Sequence, residues 1–301
     1  MSHPTLALVG AGRAGTGLAG ALAATAGYDF VTIFDRQYAH SARLAAGIGS
    51  VAVRSLAAVR GDLVILAVSD SALPEVADAL ARDESVLWQG RGVVHLSGAV
   101  PITALAPLEA RGAMIGGFHP AYPFTQTAHA DGGTVAPDLR GVTFALETTA
   151  APLQAWLMGL AGALGGAVLN LPVGGRVLYH SALVFASNYT VTLIALAERL
   201  LMSLGASPSE AAGALQGLVA GMVGNVRTQG AVQALTGPLV RADVGTVAAH
   251  LHALEGVDPD SAALYVALAR ATYPILAARG ISSEAVEQIF TQDNSDAYFH
   301  T

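Results

Sequence analysis

The chain has 301 residues, enough for one large or two ordinary domains. Charged residues make up only 12% of it, against a usual share of about 25%, so part of its surface is expected in an oligomer interface or a membrane. A net charge of −7 without a basic cluster argues against nucleic acid, the absence of Cys excludes disulfides, thiolate catalysis and cysteine metal sites, and all 15 basic residues being Arg excludes Schiff-base chemistry.

The first half alternates short β-branched runs with Ala- and Leu-rich stretches. Strands are predicted at 5–9, 30–34, 63–68, 92–96, 113–118, 142–146 and 167–171, with a helix at 15–26 after the first. Strands alternating with helices imply a mainly parallel sheet with crossover helices. Past Pro172 the periodicity turns helical, from about 175 to 280, with breaks at Gly205-Ala206-Ser207-Pro208, at Thr236-Gly237-Pro238 and at 256–259. Ser207 and Glu210 flank Pro208 with the spacing of a capped helix start. The expected fold class is α/β: an N-terminal Rossmann domain, doubly wound with a mainly parallel sheet, over 1–172, then an all-α domain for substrate and dimerisation over 173–290, then a polar tail over 291–301. The chain enters an apolar strand at once with no leader ahead of it, so a cytoplasmic location is expected.

The stretch 177–197 has no formal charge and is long enough to span a bilayer. It also carries Tyr179, His180, Ser181, Ser187, Asn188, Tyr189, Thr190 and Thr192, a density of polar groups that is costly in lipid. A helix buried at a domain or subunit interface is the better expectation, which points to a homodimer formed through the helical domain and to no membrane partner.

Residues 6–15 read LALVGAGRAG: Gly10, Gly12 and Gly15 form G-x-G-x-x-G directly after a strand and at the opening of a helix. Gly10 allows the tight turn, Gly12 the approach of a pyrophosphate, and Gly15 close packing of helix on strand. Ala11, Arg13 and Ala14 share this loop, whose amides meet phosphate at the positive helix end. Asp35 closes the second strand, where an acid binds the ribose hydroxyls. Asp35 favours NAD, whereas Arg36 and Arg43 are suited to a 2′-phosphate and favour NADP. Ligands sit outside the carboxyl ends of such strands, so Val68 and Ser69 in AVSD and Ser97 in HLSGA are expected beside the nicotinamide. For Ser97, ordinary turn chemistry is an equal reading.

His180, Val184, Ser187, Asn188 and Val191 follow i, i+4, i+7, i+8, i+11 and share one face of an unbroken helix. His180 and Asn188 are candidates to meet one ligand, His180 as the acid–base group. His119, before Pro120 at a strand end, is a second acid–base candidate. Arg241, after Gly237-Pro238, suits a substrate carboxylate or pairs with Asp243. Asn225 and His250 are read as structural. Nine His occur without a recognisable metal-ligand spacing, so no metal is expected.

The segments GGFHPAYPF, YHSALVFASNY and NVRTQGAVQALTGPLVRADVGTVAAHL stand out. Together with the Gly-rich loop and HLSG they resemble a family of Rossmann-like oxidoreductases whose helical C-terminal domain has no known function. That family is similar, at a distance, to ketopantoate reductase, pyrroline-5-carboxylate reductase and the 6-phosphogluconate dehydrogenase group, which commonly dimerise through the helical domain. Against ketopantoate reductase, the positions of its catalytic Lys and two Asn are held here by His180, Val184 and Asn188. Thr236, Asp243 and Thr246 roughly follow its later Ser, Asp and Thr, and its Glu has no counterpart.

These readings combine into an expected function: an NAD- or NADP-dependent reductase acting on a small carbonyl, such as a 2-oxo acid, or an imine, at a cleft between the domains. His180 donates the proton, Asn188 orients the substrate and Arg241 binds its acid group. The alternative is a non-catalytic NAD(P)-binding sensor.

Overall fold

In the computed structural model, residues 3–25, 27–124 and 136–296 are described. They divide into two compact units, Met1–Asn188 and Tyr189–Thr301.

In the first unit, strand β1 (Leu6–Val9) runs through the glycine loop into helix α1 (Arg13–Ala23). The helix begins two residues before the predicted start, which makes Gly12 its N-cap, and the predicted end at Ala26 lies outside the described residues. Next come β2 (Phe30–Phe34), α2 (Tyr38–Ile48), β3 (Val51–Val53), β4 (Leu63–Leu66), α3 (Leu73–Ala81), β5 (Gly92–His95), α4 (Ala106–Glu109) and β6 (Met114–Pro120). The three-residue β3 was not expected, being too short to set up a period of its own. β7 (Thr143–Glu147), α5 (Ala151–Ala163), β8 (Ala167–Asn170) and α6 (Arg176–Val184) complete the unit.

The strands form one sheet in the order β3-β2-β1-β4-β5-β6-β7-β8, parallel throughout except where β7 runs antiparallel to β6. β1 and β4 are buried at every position, as strands covered on both faces must be. One apolar cluster packs α1, α2 and α5 on one face, through Leu18, Leu22, Leu44, Leu157 and Leu160. A second packs α3 and α4 on the other, through Leu73, Ala77, Leu80 and Leu108. The result is the expected doubly wound α/β layer, whose strand order reverses between β1 and β4.

The units divide at Asn188, beyond the expected boundary near Pro172. The physical reason is Arg176 in the first turn of α6: its side chain is fully buried and bonds back to the sheet, so this helix belongs with the strands. A π-helical turn, Phe185–Tyr189, follows. Its wider i→i+5 bonding interrupts the 3.6-residue phase read from His180 to Val191.

The second unit is helical: α7 (Thr190–Ser203), α8 (Pro208–Ala234), α9 (Val244–Val257), α10 (Pro259–Ala278) and α11 (Glu284–Asp296). The sequence breaks fall at the helix ends. Ser207 and Glu210 form the capping box of α8, and Asp243 caps α9 by accepting from the Thr246 amide at 3.1 Å. Val247, Leu251, Ala262, Ala269, Val286 and Phe290 make a small core among α9, α10 and α11. The expected polar tail therefore begins inside α11, anchored by Phe290, and its residues 297–301 lie outside the described ones. Among the described residues two continuous stretches, Arg176–Ser203 and Pro259–Ala278, are long and apolar enough to cross a membrane by length and composition alone.

Candidate active site

The glycine loop is shaped by contacts that a side chain would destroy. Gly10 has φ +101°, and a Cβ there would stand 2.5 Å from the Ala67 carbonyl oxygen at the end of β4. A Cβ on Gly15 would overlap the Gly10 carbonyl oxygen. Gly12 is different: the space beside it is open. The first turn of α1, at Arg13 and Ala14, has no side-chain cap and no acidic residue. Its amides and the helix dipole suit an anion, and the bare face of Gly12 is where a pyrophosphate would approach. The residues present thus fit a dinucleotide.

Asp35 is tied into this loop. Its Oδ2 accepts from the Ala11 amide at 2.7 Å, its Oδ1 accepts from Gln37 at 2.8 Å, and His40 Nδ1 lies 3.6 Å away. Each carboxylate oxygen keeps a further lone pair for a ribose hydroxyl. Arg36 and Arg43 are exposed near this carboxylate in sequence, and Arg54 stacks 3.7 Å over the Tyr38 ring. Val68 and Ser69 follow β4, next to the Gly10 turn. The Ser69 hydroxyl lies 3.3 Å from that of Ser71.

A second group of side chains gathers where β5 and β6 end and α6 begins. Gly98 sits against two imidazoles: a Cβ there would lie 2.6 Å from His180 Cδ2 and 3.0 Å from His119 Nε2. The two rings meet edge to face, 6.4 Å between centroids. His119 Nδ1 and the Tyr179 hydroxyl are 2.9 Å apart. Burial, then the Arg176 cation and His180, hold the His119 pKa down to about 4. His119 is therefore neutral at physiological pH, with Nδ1 placed to accept from the Tyr179 hydroxyl. Burial in turn raises the Tyr179 pKa, so that hydroxyl keeps its proton. The Ser97 hydroxyl accepts from the Ala99 and Val100 amides at 3.2 and 3.0 Å, the turn chemistry that was one of its two readings.

Beneath this group lies a buried polar row. His95, Gly117 and Glu147 are register neighbours across β5, β6 and β7. The Arg176 guanidinium lies on Gly117, where any Cβ would collide with it. It donates to the Ser97 carbonyl, and its Nη1 is 3.7 Å from Glu147 Oε2, both side chains 1% exposed. Glu147 Oε1 accepts from the Gly174 amide at 2.9 Å. Burial and the neighbouring Arg176 cation push the His95 pKa down to about 3.

Of the expected catalytic residues, the first unit brings His119 and His180 together. Asn188 lies in the π turn after α6, at the end of that unit. Arg241 belongs to the second unit, exposed in the turn before α9, while the neighbouring Asp243 is engaged in capping. His250 Nδ1 and the Tyr265 hydroxyl are 3.1 Å apart. Sequence reasoning missed Arg176, Glu147 and the part played by Tyr179. Tyr179, His95 and Gly98 lay inside segments already singled out, YHSALVFASNY and HLSG. Arg176 and Glu147 carried no signal, because only the packing of α6 against β6 and β7 places them together. Among the described residues no group of three or more potential metal ligands occurs.

The chain matches two family models: a Rossmann-like domain over residues 2–120, and a domain of unknown function, DUF2520, over residues 142–272. Comparison with curated proteins finds no match. Among solved structures, a Bacteroides fragilis protein assigned as an NADP oxidoreductase is 25% identical, covers 90% of this chain and 98% of its own, and superposes with a TM-score of 0.69. Protein TM1727 of Thermotoga maritima is 21% identical, with 91% and 99% covered and a TM-score of 0.70. A reductive aminase from Aspergillus terreus, in complex with a reduced NADP cofactor, cyclohexanone and allyl amine, is 18% identical, with 94% and 89% covered and a TM-score of 0.57.

Proposed function

We propose that this chain, a Rossmann-like domain joined to a DUF2520 domain, is an NAD(P)-dependent oxidoreductase that reduces a small carbonyl or imine substrate. The observation that carries the reading lies in the first unit: a glycine loop suited to a dinucleotide after β1, and a His119–Tyr179–His180 group formed by β6, which runs parallel to β1 in the same sheet, and by α6. The likeness to an NADP oxidoreductase at 25% identity supports it.

When bound, the dinucleotide supplies the hydride. The chain's own residues supply the rest. The amides of the Gly10–Gly15 loop hold phosphate, and Asp35 fixes that loop through Ala11. His180, against Gly98, donates the proton that the reduced substrate needs, a step worth about 10² to 10⁴ in rate for a positioned acid. His119 is neutral and cannot deliver an imidazolium proton near pH 7; it orients Tyr179 instead. Asn188 is assigned to substrate orientation.

Assembly belongs to the same reading. Val177, Leu178, Phe185 and Val191 are 59%, 79%, 69% and 65% exposed in the single chain, an apolar run that water does not favour. A cytoplasmic homodimer that covers this run accounts for it and for the low charge content. Calorimetry with NADH and NADPH, followed by a panel of 2-oxo acids, ketones and imines scored by dinucleotide oxidation, tests the function. Absence of binding at millimolar dinucleotide overturns the reading, and binding without turnover across the panel favours the sensor.

A further inference from the structure

Tyr179 and His180 stand on α6, and one of the residues that hold α6 to the sheet is not called on by the reduction itself. Arg176 is the largest fully buried side chain among the described residues. In a doubly wound sheet, a cation in the packed layer is costly unless the surroundings are built for it. Here they are. Gly117 is bare so that the guanidinium has room, His95 flanks it on β5 and Glu147 on β7, all three in register. One arm reaches the Ser97 carbonyl, immediately before the Gly98 that contacts His119 and His180. The other faces Glu147, whose second oxygen holds Gly174 in the turn that starts α6.

We propose that Arg176 is the positioning residue of this site: seated on Gly117 between His95 and Glu147, it ties the first turn of α6 to the β5 exit and so sets where Tyr179 and His180 stand against Gly98 and His119. The inference rests on the reading of that cluster as the active site. It adds a residue three and four positions before the groups it serves. Arg176 touches neither dinucleotide nor substrate in this account; it acts through the helix it anchors and through its charge. That charge faces His119 along with His180 and Tyr179 from α6, Asp70 from the turn after β4, and His95 from β5. Among these, Arg176 and His180 disfavour a charged His119 and Asp70 favours it.

The experiment needs no substrate. The intact chain is labelled at histidine, the His119 resonance is assigned from His119→Gln, and its midpoint is followed by NMR from pH 8 down to pH 3. Amide exchange over α6 is measured on the same samples, and NADPH affinity by calorimetry. In Arg176→Met the His119 midpoint is expected to rise by about one pH unit, back toward the ordinary value near 6.5, as the adjacent cation is lost. Exchange over α6 should speed at least tenfold while that of β1 and β4 is kept and NADPH affinity changes less than twofold. Arg176→Lys restores the charge without the planar fork. It should return the midpoint and leave α6 exchange fast, a separation that loss of packing alone does not produce. An Arg176→Met protein with an unmoved midpoint and unmoved α6 exchange overturns the proposal. If Arg176→Met does not fold, Arg176→Lys decides alone: wild-type protection over α6 overturns it, and fast exchange with a wild-type midpoint supports it. A protein that shows these shifts but binds no NADPH upholds the anchor and defeats the function.

Discussion

The glycine loop and the histidine cluster stand on the same sheet but are made in opposite ways. The loop is local: ten consecutive residues, an absent side chain at three of them, and one carboxylate from the next strand. Its polar work is done by backbone amides, which every sequence has, so its specificity lies in which Cβ atoms are missing. The cluster is assembled from β5, β6, β7 and α6, whose contributing residues span positions 95 to 180. Its work is done by side chains, and its order depends on strand register and one buried cation. A local site tolerates change elsewhere in the fold, and an assembled one does not.

That contrast can be broken most sharply in the loop. Gly15→Ala places a methyl group against the Gly10 carbonyl, with no flexible neighbour to give way. Calorimetry should show NADPH affinity reduced by 10³-fold or more, about 4 kcal/mol. Gly12→Ala is the control, because its space is open: the protein should melt as wild type and still bind weakly, since the methyl occupies the phosphate approach. Equal binding by Gly12→Ala and wild type would show that the cradle is not a phosphate site.

The cluster should reveal itself in acid. Two of its histidines are held neutral, His119 near 4 and His95 near 3 against an ordinary 6.5, so the native state resists protons that the unfolded chain accepts. Stability from these groups is complete above pH 6.5 and is lost as pH falls through 4 and then 3. Urea melts should lose about 3 kcal/mol between pH 7 and pH 4 from His119 alone, since each tenfold difference in proton affinity between the folded and unfolded chain is worth about 1.4 kcal/mol. His119→Gln should flatten that slope. An unchanged slope would mean that the imidazole is not desolvated as the structure has it.

The two sites should also separate kinetically. His180→Ala is expected to lower kcat by about 10²-fold, roughly 2.7 kcal/mol, with dinucleotide affinity unaltered. Full turnover in that variant moves the proton donor to Tyr179. The smallest effect lies outside both sites. Asp243→Ala removes the cap of α9 and should cost about 1 kcal/mol in a melt without touching NADPH binding. Light scattering completes the set: a stable monomer at micromolar concentration would leave the apolar run from Val177 to Val191 unexplained by dimerisation.

The sequence alone determined whatever is written in a short window. The strand–glycine–helix register with Asp35, the alternation that makes a parallel sheet, and the helix breaks with their Ser207 cap all obey local rules of backbone sterics and hydrogen bonding. His119 and His180 were also legible one at a time, as polar residues in apolar surroundings. Only the tertiary structure decided what they are to each other. It put Gly98 between them, gave His119 a tyrosine partner and a depressed pKa, and buried an arginine on Gly117 between His95 and Glu147. It also moved the unit boundary past α6 and set a π turn into a helix read as regular. The physical reason is shared by all of these. Register between distant strands, desolvation and the anchoring of a helix by a buried charge are properties of a packed neighbourhood, and no single stretch of chain carries them.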